Sequence, residues 1–370
     1  MVKRLYQTTT DKIIFVDNLS VGTHPSTWLD EERISQQGDL EIYGKEERLL
    51  FLHQDFRKFL RDIIDDEAYI TKHYAPDFER FSDVFHFAAI VGGRSTIEGD
   101  PMKVALDLSI DAEFFYWITR HRPDRTLYPS SSAAYPIDLQ TEGDAIALAE
   151  LDIDFKRMGE PDMTYGWSKL TGEFLAKVAA EHYDLKVTVI RPFSGYGEDQ
   201  DQTYPIPAIA ARIARREDPV EVWGTGRQGR DFVHIDDVLD CIFFAMERVT
   251  DGSAINIGRG ELLSFIDIIH TMCDIEGYSP EIKQLLDKPV GVFSRYSNMD
   301  KVHEMGWRAK ISVREGMRRV LEAQRVKGLR GYFEIKLIWR IGSLLGMRVV
   351  ILCMSLWGST AEVAVRGRGI

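Results

Sequence analysis

Residues 101–132, PMKVALDLSIDAEFFYWITRHRPDRTLYPSSS, pass from a helical pattern into a short apolar run and stop at three serines. Residues 101–121 read as a helix. RTLYPSSS (125–132) reads as a buried strand, because its apolar residues do not alternate with polar ones. SDVFHFAAI (82–90), RLLFLHQD (48–55) and KIIFVDN (12–18) upstream have the same character, as does KVTVIRPF (186–193) downstream. YGWSKLTGEFLAKVAAEHY (165–183) adds a second long helix between strands. This repetition predicts an α/β fold: a Rossmann-like, doubly wound parallel sheet covered on both faces.

After Pro192 the pattern changes. IPAIAARIARRED (206–218) and DDVLDCIFFAMERV (236–249) read as helices, VEVWG (220–224) and RDFVHI (230–235) as strands. The expected organisation is a Rossmann-like domain over residues 1–192, with 231–258 returning to it. A smaller C-terminal substrate lobe follows over 193–330, then an apolar tail of unassigned role over 331–370. The longest uncharged stretch of that tail, Val349–Ala361, is shorter than the ~18 residues a spanning helix needs. Membrane contact by the tail is therefore open but not favoured.

The 370 residues carry a net charge of −12, with no compensating basic stripe, which argues against a nucleic-acid partner. An anionic substrate would need a local group of arginines. Cys241, Cys273 and Cys353 have neither metal-ligand spacing nor the even count of a disulfide framework. No metal is expected. MVKRLYQTTTDK has no apolar run of the secretory kind, so the expected compartment is the cytoplasm.

Tyr165 and Lys169 are four apart at the start of a helical pattern, which puts them on one helix face. A phenol titrates near pH ~10 when unperturbed, and a neighbouring ammonium favours its phenolate, the form that can take a proton from a hydroxyl. The serines closing the strand at 125–132 lie at the carboxyl edge, where doubly wound sheets place their sites. Strand, serines, loop, YxxxK at a helix start, then a strand ending in Arg191-Pro192: the order carries more weight than any piece.

These pieces resemble the NAD-dependent epimerase/dehydratase family, the extended short-chain dehydrogenases, from about residue 12 to about 325. V16-D17-N18-L19-S20 looks like the end of the family's second strand, and H86-F87-A88-A89 like its fourth-strand segment. R191-P192-F193-S194-G195-Y196-G197 is similar to RPxNxYG with Ser194 for asparagine, and R230-D231-F232-V233-H234-I235-D236-D237-V238 to RDxxHVxDV. The resemblance implies Ser131, Tyr165 and Lys169 as the hydride-transfer residues. It implies NAD held by Asp17, Asn18, Asp55, Phe56, Ala88 and Ala89 with Tyr165 and Lys169. The implied substrate is a nucleoside-diphosphate sugar met by Ser132, Arg227, Arg230 and Arg295, and the implied assembly a homodimer. Ser131 is preferred to Ser132 because the family's hydroxyl lies four before the residue equivalent to Tyr135; Ser132 also reads as a turn cap.

G224-T225-G226-R227-Q228-G229 satisfies GxGxxG, but strand patterns flank it on both sides. A dinucleotide loop must open a helix, so this stretch reads as a hairpin turn. The family's glycine loop would precede KIIFVDN, where only eleven residues stand, and VKRLYQ resembles the helix that follows such a loop. The first strand is thus expected to be missing, leaving neighbouring edges unpaired, with the native polypeptide starting upstream of Met1 or the chain a degenerate remnant.

V91-G92-G93-R94 resembles the loop of the family's GDP-sugar members, but Ala133 stands where those carry an acid/base cysteine. Without that extra acid/base, the expected reaction is C4 epimerisation through a transient 4-keto sugar. The alternatives are a nucleotide-sugar reductase or dehydratase, or a sugar-nucleotide-binding remnant unable to hold NAD.

Overall fold

A computed structural model of the chain describes residues 1–90, 92, 94–143 and 145–327. The apolar tail at 331–370 lies outside them. Two four-stranded sheets carry the first half. One joins β1 (Ile13–Asp17), β2 (Arg33–Gln37), β3 (Leu40–Tyr43) and β4 (Leu49–His53) in the order β1-β4-β3-β2, with β1 and β4 parallel. The other joins β5 (Asp83–Phe85), β6 (Arg125–Pro129), β7 (Val187–Pro192) and β8 (Asp251–Ile257), all parallel, in the order β8-β7-β6-β5.

Among the described residues β1 pairs only with β4, and β5 only with β6. Each of these strands thus has one paired edge among the described residues, which leaves an opening in the sheet beside them. Both strands on this opening are half-buried, whereas β4 and β7 are almost wholly buried.

Helices cover both faces, as continuous apolar strands require. Phe59, Phe114, Ala176, Tyr128, Val187 and Val189 share one core between the sheet and helices Phe56–Asp65, Asp107–His121 and Met163–Tyr183. On the other face Leu127, Ile190 and Ile255 pack against Cys241, Ile242 and Ala245 of helix Ile235–Met246. A third core joins helices Pro205–Ala214, Phe265–Glu276 and 313–327 through Ile209, Ile269 and Met317.

Two readings of the fold need correction, and one element was missed. The helix expected over 101–121 is two, Pro101–Val104 and Asp107–His121. The break starts a fresh first turn at Asp107, whose carboxylate is 1 % exposed and accepts the Ile90 amide. The GTGRQG turn is not a hairpin: Val220–Trp223 pairs in parallel with Ile282–Leu285, while Gly229–Arg230 pairs with Leu263–Ser264 and Ser294–Ser297. It opens no helix, and Gly224 and Gly226 take φ of 62° and 70° to pass between the sheets. The β2–β3 hairpin was not anticipated; its turn at Gly38-Asp39, with Gly38 at φ 58°, is a recognisable two-residue hairpin signal.

Candidate functional site

The carboxyl end of β6 builds the first half of the site. The chain leaves Pro129 into a 3₁₀ turn, Ser132–Ala134, capped by Ser131, whose Oγ accepts the Ala133 amide at 3.1 Å. The capping hydroxyl is thus that of Ser131, not of Ser132. Because that Oγ only accepts here, its own proton remains available to a partner. Ser132 is buried, and Ser130 donates to Glu173 inside the fold.

The turn abuts the start of helix Met163–Tyr183. The Asp162 amide donates to the Ala133 carbonyl at 3.0 Å, and Met163 takes a left-handed φ of 54° as the chain swings into the helix. Tyr165 is half-buried and Lys169 is 4 % exposed, with its ammonium 5.8 Å from the Tyr165 ring centre and 5.6 Å from that of Tyr128. The nearest carboxylate to Lys169 is Asp107, at 3.9 Å. Burial pulls the ammonium down, but Tyr165, Asp111 and Asp107 outweigh it and hold the group above the usual lysine range.

Arginines form the second half. Asp162, 6 % exposed, accepts from Arg94 at 2.8 and 3.0 Å and from Arg295 at 2.8 Å. Burial alone would raise its carboxyl; Arg295 and Arg94 reverse that and keep it below the ordinary range. Arg230 is different. Its guanidinium donates only to the carbonyls of Gly229, Phe293 and Val290, at 2.7, 3.3 and 3.2 Å. Burial, reinforced by Arg295 and Arg94, pushes it down to about 9. Three guanidinium groups thus surround one buried carboxylate, with Glu98 pairing to Arg94 at the edge.

A cavity of about 410 Å³ opens here, lined by Arg94, Ile137, Gln140, Asp162 and Met163 among others. Arg295 and Tyr204 both interact electrostatically with Tyr165, so the arginine cluster and the tyrosine–lysine pair belong to one site. Arg94, Asp162 and Tyr204 were missed in the sequence. Asp162 sits three residues before Tyr165, the signal that could have found it; Arg94 lay within a loop read only for its resemblance to that of the family's GDP-sugar members.

The remaining candidates scatter along the carboxyl edge. Asp17 and Asn18 are exposed at the end of β1, bonding the Leu19 and Ser20 amides. Asp55 caps helix Phe56–Asp65 through the Arg57 amide and pairs with the Arg57 side chain, which keeps its carboxyl low. Phe56 stacks on His86 inside the core. Ala88 and Ala89 are half-buried beyond β5, and Arg227 is exposed on its turn.

The model of the NAD dependent epimerase/dehydratase family matches residues 30–258, well over half of the chain. The chain belongs to that family, whose fold class its paired parallel sheets share. A putative GDP-L-fucose synthase 2 of Oryza sativa is 25 % identical over 161 residues, which cover 41 % of this chain and 46 % of that one. The chain therefore spans about half the length of that relative. The GDP-L-colitose synthase of Yersinia pseudotuberculosis is also 25 % identical, over 272 residues covering 69 % and 84 %. The crystal structure of UDP-glucose 4-epimerase from Thermotoga maritima superposes with a TM-score of 0.68 at 23 % identity, covering 88 % of this chain and 94 % of that one. Among the described residues no helix is long and apolar enough to cross a membrane.

Proposed function

We propose that the chain is a nucleotide-sugar epimerase acting at C4 with NAD. The observation that carries this is Arg230: a half-buried cation whose hydrogen bonds, among the described residues, go only to backbone carbonyls, beside Arg295, which interacts with Tyr165. A partly desolvated guanidinium calls for an anion, and a diphosphate suits two such groups. A sugar held by its diphosphate at Arg230 and Arg295 would extend toward Tyr165.

The nicotinamide end of NAD fits what is present. The Lys169 ammonium is buried, makes no hydrogen bond among the described residues, and stands beside the reacting tyrosine. Ala88 and Ala89 would line the cofactor, and Asp17 and Asn18 the adenosine ribose. Among the described residues no glycine-rich strand-to-helix turn lies between them for the pyrophosphate. NAD, when bound, would supply the hydride acceptor for oxidation at C4 and the donor for its return. As a phenolate steadied by Lys169, Tyr165 takes the proton of the 4-hydroxyl and later gives it back. Ser131 donates a hydrogen bond from its free hydroxyl to the same sugar oxygen. The arginines keep the diphosphate in place while the hexose turns to present its other face.

Asp162 is the buried carboxylate at the centre of this cluster, and so a candidate for an additional acid. With both oxygens engaged by Arg94 and Arg295 and its carboxyl held low, it is a poor proton donor. Ala133 offers none. That favours simple oxidation and return over dehydration. Incubation with UDP- and GDP-hexoses, reading inversion at C4 by NMR, tests the proposal; no exchange with any of them overturns it. The synthases among the relatives support a second reading, a keto-sugar reductase, which net cofactor oxidation would reveal. Calorimetry that finds sugar-nucleotide affinity without NAD affinity would favour a binding protein instead. We also propose a homodimer through helices Asp107–His121 and Met163–Tyr183, whose Tyr116, Trp167 and Phe174 are 51, 42 and 49 % exposed.

A further inference from the structure

Asp107 opens helix Asp107–His121 and is 1 % exposed. Its Oδ1 accepts the Ile90 amide, while its Oδ2 is buried without a hydrogen-bond partner. An asparagine would serve the Ile90 amide equally well, so backbone capping does not account for the charge. Burying a carboxylate oxygen unsatisfied is costly, and the group it faces is the Lys169 ammonium, 3.9 Å away.

The other groups around Lys169 are already committed. Asp111, one turn further along the same helix, gives one oxygen to His86 Nε2 at 2.8 Å and the other to the Tyr128 hydroxyl at 2.6 Å. Tyr128 on β6 and Tyr165 on the lysine's own helix present rings, and His86 beyond β5 is kept neutral by burial. Asp107 Oδ2 is the carboxylate oxygen with nothing else to bind.

We propose that Asp107 is a positioning residue that keeps the buried Lys169 ammonium charged and directed at the Tyr165 phenol. This rests on reading Tyr165 and Lys169 as the proton-handling pair. The arrangement has two charge states. Burial pushes the Asp107 carboxyl up to about 6, Lys169 being the main influence against it. Above that pH the carboxylate offsets the desolvation of Lys169; below it the lysine needs no help, because its ammonium is favoured by the pH itself.

The test is the titration of Lys169, followed by NMR of isotopically labelled lysine with the resonance assigned by its loss in Lys169→Met. In Asp107→Asn the ammonium should lose its proton at a pH lower by about one unit, roughly a tenfold loss of proton affinity, as expected for removing one nearby charge. Asp107→Glu should restore most of it. The alkaline limb of kcat/KM should move down with the titration in Asp107→Asn and return in Asp107→Glu. An unchanged Lys169 titration in a folded Asp107→Asn protein overturns the proposal. Should Asp107→Asn not fold, Asp107→Ser takes its place, and an unchanged Lys169 titration in that variant equally overturns the proposal. Full turnover by Tyr165→Phe would instead overturn the underlying assignment of the base, whatever Lys169 does.

Discussion

A Cβ added to Gly166 would lie 2.4 Å from the carbonyl oxygen of Ala133. The helix that carries Tyr165 therefore rests directly on the turn that Ser131 caps, and the absence of a side chain at Gly166 sets their separation. The contacting atom is backbone on a buried turn, so it cannot swing aside. Gly166→Ala should destabilise the fold by about 1–3 kcal/mol, the usual cost of overpacking. It should also lower kcat more than it raises KM, because Tyr165 and Ser131 are pushed apart while the arginines are untouched. Urea melts with steady-state kinetics check both; a variant impaired only in KM would show that the contact does not set the catalytic geometry.

Arg230 makes the opposite prediction. Its cation is half-buried, and among the described residues it hydrogen-bonds three carbonyls and no carboxylate. Arg230→Met should therefore leave stability unchanged or improve it, since half-buried charge without a carboxylate is weak support for a fold. The same substitution should weaken a UDP-sugar by about 10–100-fold, the worth of one charge-assisted bidentate contact. Arg230→Lys should recover little, because an ammonium lacks the fork that spans two phosphate oxygens. Calorimetric titration with UDP and with uridine separates the diphosphate contribution: uridine binding should be indifferent to the change.

The strands were legible because burial on both faces leaves no polar alternation, and β1, β4, β6 and β7 fall within residues read as apolar runs. β5 is shorter than its run, three residues rather than nine; the His86 amide still reaches the Leu127 carbonyl on β6, and the chain then leaves the sheet. The break before Asp107 was invisible. Apolar periodicity continues through Ala105 and Leu106, and only the tertiary partners of Asp107 make it a helix start. The site shows the same division. Tyr165 and Lys169 are local in sequence, so their spacing declares them. Arg94, Asp162 and Arg295 are joined across as many as 201 positions, and no local pattern reports that they meet.

The opening between β1 and β5 should be measurable. In a parallel strand paired on one side, alternate amides point away from the ladder. Amides of residues 13–17 and 83–85 that face the opening should exchange with solvent deuterium at least about 100-fold faster than those of β6 and β7, whose ladders continue on both sides. Mass spectrometry of short peptic fragments resolves the three segments. Equal protection throughout would mean that the edges are closed in solution, and that the sheet does not end where the described strands do.

Asp107 supplies the last prediction, in which stability and activity part. Burial pushes its folded carboxyl up to about 6, above the ordinary 3.8 it has in the unfolded chain. A raised carboxyl favours the folded state while protonated: that contribution is complete below 3.8 and is lost as the pH climbs through about 6. Above 6 the ionised group costs the fold about 1–3 kcal/mol, taking ~1.4 kcal/mol per pH unit as the conversion and the shift as an upper bound. Asp107→Asn removes that cost while keeping the acceptor for Ile90. It should melt several degrees higher than the wild type at pH 8, with the difference shrinking to nothing by about pH 4. A residue serving only the fold would lose stability on substitution; one retained for its charge beside Lys169 should gain stability and lose turnover. Melting curves across that pH range decide it, and a variant that is less stable at pH 8 than at pH 4, relative to wild type, would place Asp107 among the ordinary structural carboxylates.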